Sequence, residues 1–185
     1  RNQQALTDIV GLGRQVLDLA ESLLNERPLE LRELDLVPLC REVVRSMTGA
    51  ATRQAVHIRV EGEPSAWIRG DGAQLTRVFA NLVDNALKYS PAGSEVMVTL
   101  SHQEEQVQVD VRDHGAGIPD LELERIFESG VQASGSLTGH GLGLSIARSL
   151  VADHGGTIAA HNHPEGGTVL RVRFDLAVPT LTDSG

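Results

Sequence analysis

Cysteine is almost missing from this 185-residue chain: Cys40 is the only one. A single thiol closes no internal disulfide and leaves no cysteine set for a structural zinc site. Lysine is as scarce, since Lys88 is the one lysine among sixteen basic residues. No run approaches the roughly eighteen continuous apolar residues of a membrane span. Positive charge is in deficit, with sixteen Lys and Arg against twenty-five Asp and Glu for a net −9, which argues against a general nucleic-acid surface. A local anion site survives that argument, because a helix N-terminus and backbone amides bind anions without net positive charge. Aromatic residues are 3% of the chain, with Trp67 the single tryptophan. What is present is ordinary for a globular chain: 41% apolar and 22% charged residues, and enough length for one good core with a small appendage. The chain opens on Arg1 with no signal-peptide pattern, as a piece cut from a longer protein would.

The hydrophobic pattern changes along the chain. Leu6, Ile9, Gly13, Val16, Ala20 and Leu23 recur at alternating spacings of three and four, a heptad seam. Gly11 and Gly13 each weaken such a helix by about 1 kcal/mol relative to alanine, so it is expected to borrow stability from a bundle or dimer partner, the alternative being packing against its own domain. Pro28 stops it. LDLV from Leu34 alternates as a strand, and Pro38 suits the first turn of a helix carrying Leu39, Val43, Val44 and Met47. HIRVEG and AWIRG read as two short strands around Pro64, a hairpin. Asp71 to Tyr89 reads as a helix, with Asp71 and Gln74 in capping-box spacing and Leu75, Val78, Phe79, Leu82 and Ala86 as its stripe. VMVTLSHQ and VQVDVRD alternate with period two and meet at Glu104-Glu105. A helix from Leu142 to His154 and two strands, GGTIAAHN and GTVLRVRFDLAV, complete the pattern. Helices against one mixed, mostly antiparallel sheet predict an α/β two-layer sandwich.

Three elements bear on chemistry. In NLVDNALKYS, helical geometry clusters Asn81, Asn85 and Lys88 on one flank, while Asp84 points to solvent. An asparagine carbonyl can ligate magnesium, its amide can donate to phosphate, and lysine supplies a mobile charge; a plain polar helix flank fits equally well. DHGAGI follows a strand, and its two glycines permit a tight turn or the close approach of a flat ligand. Asp113 could there accept from an exocyclic amine, although Gly and Asp also serve ordinary turns. His114, between them, is expected to be exposed. In GHGLGLSIARSL, three alternating glycines open a helix and aim backbone N–H groups and its dipole at an anion, without the spacing of a P-loop or a dinucleotide fingerprint.

The order NxxxN helix, strand, DxGxG, loop, GxGxG, helix, strand, GGT resembles the ATP-binding catalytic domain of sensor histidine kinases, in the Bergerat-type fold shared with gyrase, Hsp90 and MutL. The resemblance runs from Leu34 to about Leu176. NLVDNALKYS is similar to the N box, DHGAGI to the first glycine box, RIFE to the F box, GHGLGLS to the second glycine box, and Gly166-Gly167-Thr168 to the last small motif. It implies an incomplete dimerisation-hairpin helix over residues 1–30, a catalytic domain over 31–178 and a tail over 179–185. ATP and Mg2+ are the implied ligands. Asn85 would hold the metal, Asn81 would support the phosphate and metal side, and Lys88 would reach phosphate. Tyr89 would lie along the adenine, which Asp113 would read through its N6 amine. Gly115, Gly117 and Ile118 would form the nucleotide-facing turn, with Thr168 supporting the pocket. Gly139, His140, Gly141, Leu142, Gly143 and Leu144 would close the phosphate side at the base of a lid running from Ser129 to Thr138. Arg125 and Phe127 would anchor that lid, with Arg125 helping to orient the transferred phosphate.

ATPase branches of this fold carry a glutamate where Asn81 stands. An asparagine cannot take a proton from water, so the resemblance implies transfer of the γ-phosphoryl to an acceptor histidine rather than hydrolysis. None of the seven histidines is followed by an acidic residue, so the acceptor is expected on a separate dimerisation hairpin of the same kinase. A response-regulator receiver domain would be the next partner, with homodimerisation in the whole protein and no nucleic acid involved. The location implied is the cytoplasmic part of a membrane-anchored sensor. The alternative is a catalytically inactive nucleotide-binding or docking module that regulates a partner.

Overall fold

The structure is a computed structural model that describes residues 28–129 and 142–177. The expected first helix, the lid beyond Ser129, Gly139, His140, Gly141 and the tail lie outside the described residues.

Strand β1 (Arg32–Asp35) runs directly into helix α1 (Leu36–Arg53). Asp35 makes that switch possible: its Oδ1 accepts from Val37 N at 3.0 Å, capping the helix, and from Ala66 N at 2.8 Å. Pro38 sits in the first turn, where a missing N–H is tolerated. Helix α2 (Gly72–Tyr89) is capped by Asp71, whose Oδ1 accepts from Ala73 N at 3.0 Å and Gln74 N at 3.2 Å. The reciprocal half of the expected capping box is absent, since Gln74 Oε1 is buried without a partner. The stripe of α2 is buried as expected and wider than read, taking in Val83 and Leu87. Its end follows from Ser90, held extended at ψ 132° by the proline that follows.

The main sheet has the order β2-β4-β5-β7-β6. It comprises β2 (His57–Gly62), β4 (Glu95–Gln103), β5 (Gln106–Arg112), β6 (Thr157–Asn162) and β7 (Thr168–Asp175). The β2–β4 pair is parallel and the other three pairs are antiparallel. Alternation places Val96, Val98 and Leu100, then Val107, Val109 and Val111, then Leu170, Val172 and Phe174 in one buried core beneath α1, α2 and helix α3 (Gly143–Asp153). The opposite sheet face is polar, with Arg171 gripping Asp110 through two 2.8 Å bonds. This is the two-layer arrangement expected of the sequence.

The expected hairpin around Pro64 does not form. Strand β3 (Trp67–Gly70) pairs antiparallel with β1, whereas β2 lies against β4. Leu36 N donates to Ala66 O at 2.9 Å and Asp35 binds Ala66 N, so the segment before β3 is drawn to the start of α1 and away from β2. His154 ties the helix layer to it: Asp71 N donates to His154 Nε2 at 3.0 Å, leaving Nδ1 to donate to Leu150 O at 2.7 Å. Among the described residues, no helix is long and apolar enough to cross a membrane.

Candidate functional site

Helix α2 is the spine of the site. Its buried stripe fixes its rotation, and that rotation leaves Asn81, Asn85 and Lys88 half-buried on one flank and Asp84 exposed. Among the described residues, neither asparagine side chain has a hydrogen-bond partner. Lys88 Nζ lies 5.1 Å from the centre of the Tyr89 ring, a cation–π distance. The expected cluster is therefore present, and among the described residues no hydrogen bond engages its side chains.

Near Asn81, the first turn of α3 closes in: a Cβ added at Gly143 would lie 3.6 Å from Asn81 Oδ1. Leu142 occupies the N-cap position, and among the described residues no side chain caps the helix or places an acid in its first turn. An uncapped N-terminus presents backbone N–H groups and the positive end of the helix dipole. Leu144 is half-buried and packs against the core. Ser129 Oγ donates to Ser145 Oγ at 3.3 Å, and Ser145 Oγ to Leu142 O at 2.9 Å, which links Ser129 to the first turn of α3.

At the other end of α2, a Cβ on Gly115 would fall 2.7 Å from the Tyr89 carbonyl oxygen. The turn carrying Asp113 therefore rests on the C-terminus of the same helix. Asp113 is only 3% exposed. Its Oδ1 accepts from Gly115 N at 2.7 Å and Thr168 N at 3.0 Å, and neither bond uses Oδ2. Burial pushes its carboxyl above the usual range, against the opposing pull of those two N–H donors and of His114 and Arg112. Gly167 lets Thr168 come so close: at φ +85°, a Cβ there would lie 2.1 Å from the Asp113 carbonyl oxygen. His114 is exposed, as expected, and its Nδ1 donates to Glu95 O at 2.7 Å.

The F-box turn (Arg125–Phe127) sits beside α3. Phe127 is 4% exposed and belongs to the core, with the Arg148 guanidinium 5.6 Å from its ring centre, while Arg125 is exposed. Ile118 is half-buried, and both its N–H and its carbonyl are bound by the Asn162 side chain. Arg148 and Asn162 were not singled out by the sequence reading. Neither stands at a motif spacing, and their partners lie more than twenty residues away.

The described part of the site thus has two ends joined by one helix: a buried carboxylate with an uncommitted oxygen, and an asparagine flank facing an uncapped helix N-terminus. A family model for "Histidine kinase-, DNA gyrase B-, and HSP90-like ATPase" matches residues 70–178. The sensor protein SphS of Synechococcus elongatus is 39% identical over 92% of this chain and 45% of its own length. The sensor-like histidine kinase SenX3 of Mycobacterium tuberculosis is 32% identical over 98% of this chain and 45% of its own. The chain thus spans under half the length of these curated relatives. Among solved structures, the catalytic domain of histidine kinase ThkA is 27% identical, with TM-score 0.73 over 80% of this chain and 96% of that one. Full-length ShkA in complex with AMPPNP is also 27% identical, with TM-score 0.76 over 96% of this chain and 40% of that one. The chain belongs to the histidine kinase-, DNA gyrase B- and HSP90-like ATPase family, and its fold is that of the ATP-binding catalytic domain of a sensor histidine kinase.

Proposed function

We propose that the chain binds Mg-ATP and donates the γ-phosphoryl group to a histidine on the dimerisation hairpin of its parent kinase, which passes it to a response-regulator receiver domain. The observation that carries this reading is the meeting of Asn81, about two turns along α2 from the Asp113 turn, with the start of α3, which no described side chain caps. That arrangement suits an elongated ligand with an amine-bearing base at one end and anionic groups at the other. The complex of ShkA, a 27% identical protein, with AMPPNP supports it.

The residues fit both implied groups. Asp113 Oδ2 is left to accept from the base amine, and the N–H groups of Gly115 and Thr168 keep Oδ1 from turning toward the ligand. Tyr89 and the turn through Gly115, Gly117 and Ile118 flank the base. The first N–H groups of α3, with Gly143 and Leu144, would face the phosphates, and Lys88, beside Tyr89 near the end of α2, is the candidate cation to reach them. Asn85 would hold magnesium through its carbonyl oxygen, with Asn81 beside it. When bound, the metal would offset the negative charge of the phosphates. Asn81 offers no base to activate water, so the site disfavours hydrolysis and leaves the phosphoryl group for an external nucleophile. Arg125, exposed beside the lid's point of departure, is the candidate to orient the transferred group.

The test is calorimetric titration with Mg-AMPPNP of the wild type, of Asn85→Ala and of a metal-free sample. Phosphotransfer to a supplied histidine-containing hairpin follows. Metal-dependent binding lost in the variant, with phosphohistidine on the hairpin, is the expected result. Binding without transfer would favour a regulatory nucleotide-binding module. No binding by the folded wild type would overturn the reading.

A further inference from the structure

The backbone between β5 and the turn at Asp120–Glu122 carries the base-reading residues, yet no strand pairs with it. Left alone, Ile118 would have neither ladder partner nor helix partner for its main-chain groups. Asn162, the last residue of β6, supplies both. Its Oδ1 accepts from Ile118 N at 2.9 Å and its Nδ2 donates to Ile118 O at 2.6 Å. One carboxamide thus satisfies the N–H and the C=O of a single residue, as a neighbouring strand would. Nδ2 also reaches Asp120 Oδ1 at 3.2 Å.

The position of Asn162 gives this clamp its meaning. Asn162 pairs with Thr168 across the β6–β7 ladder. Thr168 grips Asp113 through main-chain bonds, so one rung of the sheet holds both ends of the stretch from Asp113 to Ile118. Gly115 and Gly117 lie between those ends. At Gly117, with φ +77°, an added Cβ would fall 3.0 Å from Asn162 Oδ1, so the glycine also makes room for the clamp.

We propose that Asn162 is a positioning residue for recognition of the purine base: it sets the turn that holds Asp113 Oδ2 and the Gly115–Ile118 backbone against the ligand. This rests on the nucleotide reading above. Because the clamp acts at the base end of α2, its loss should weaken adenosine and ATP by the same factor. A residue acting through the phosphates would weaken ATP alone.

The experiment follows backbone amides by NMR in the wild type, Asn162→Ala and Asn162→Asp, with hydrogen exchange at Ile118 and titrations with adenosine and Mg-AMPPNP. Asn162→Asp keeps the volume and the acceptor for Ile118 N but removes the donor to Ile118 O, and carries the test if the alanine variant does not fold. The expected result is faster exchange at Ile118 in Asn162→Ala and affinity lowered about tenfold for both ligands, with at least as large a loss in Asn162→Asp, which sets a carboxylate oxygen against Ile118 O and Asp120. Faster exchange with unchanged adenosine affinity would make Asn162 a loop staple and overturn the proposal. A loss confined to Mg-AMPPNP would also overturn it. A wild type with a protected Ile118 amide that binds neither ligand would overturn the nucleotide reading, and this proposal with it.

Discussion

Thr168 holds Asp113 from two sides: Asp113 N donates to Thr168 O at 2.9 Å, and Thr168 N donates to Asp113 Oδ1 at 3.0 Å. The strand that carries Thr168 thereby fixes both the backbone and the carboxylate of the residue proposed to read the base. A carboxylate locked through one oxygen and open at the other is a directional acceptor, which is what discrimination between an amine and a carbonyl on a purine requires.

Asp113→Asn should separate stability from binding. The amide oxygen can still accept from Gly115 and Thr168, while the amide nitrogen in place of Oδ2 is a donor facing a donor. Adenine-nucleotide affinity is expected to fall at least roughly a hundredfold. Burial raises the folded-state carboxyl above its unfolded value, so the acid favours the fold while protonated and loses that contribution as pH rises through the raised value. The variant's amide does not titrate. It should match the wild type in urea stability at acidic pH and equal or exceed it at neutral pH. A variant less stable than the wild type at pH 7 and equal at pH 4 would contradict this.

Gly167 and Gly93 form a matched pair. Their φ angles are +85° and +84°, but an added Cβ meets nothing within 4 Å at Gly93 and lies 2.1 Å from the Asp113 oxygen at Gly167. Gly93→Ala should cost about 1 kcal/mol, the backbone strain alone. Gly167→Ala should cost more than about 3 kcal/mol, or shift the Asp113 turn and abolish nucleotide binding. Chemical denaturation of the two variants side by side isolates the steric component.

Asn85→Ala should leave the thermal midpoint within about 2 °C of the wild type, because no protein hydrogen bond is lost among the described residues. The same substitution should remove the metal-dependent part of nucleotide affinity. A large drop in the midpoint would make Asn85 a structural residue.

Cys40 should behave as an unfolding probe. Burial, with Asp35's charge adding, pushes its thiol up to about 12, so the native protein holds almost no thiolate at pH 8. Alkylation by iodoacetamide is expected to proceed only through opening of the core, and to become fast in denaturant. Rapid modification of the native protein would contradict the burial of this side chain.

Sequence alone settled what depends on local order. The alternation of β4, β5 and β7, the stripe of α2, its Asp71 cap and its stop at Ser90-Pro91 are short-range patterns, and each reads directly as a face or an end. The candidate residues proposed for the N box and first glycine box could be named from the sequence for the same reason, because that proposal rests on residue types at fixed spacings. The tertiary structure decided what depends on partners distant in sequence. Period two tells which side chains share a face but not which strand lies alongside, so β2 could pair with β4 and β3 with β1 without any local sign. Asn162 reaches Ile118 across 44 residues, and Arg148 meets Phe127 from a different element of the fold. His154 joins α3 to the start of α2 across 83 residues. These contacts form only once the burial of Phe79, Leu82 and the sheet valines has fixed where each helix lies, so their geometry belongs to the packed core and not to the motifs it holds.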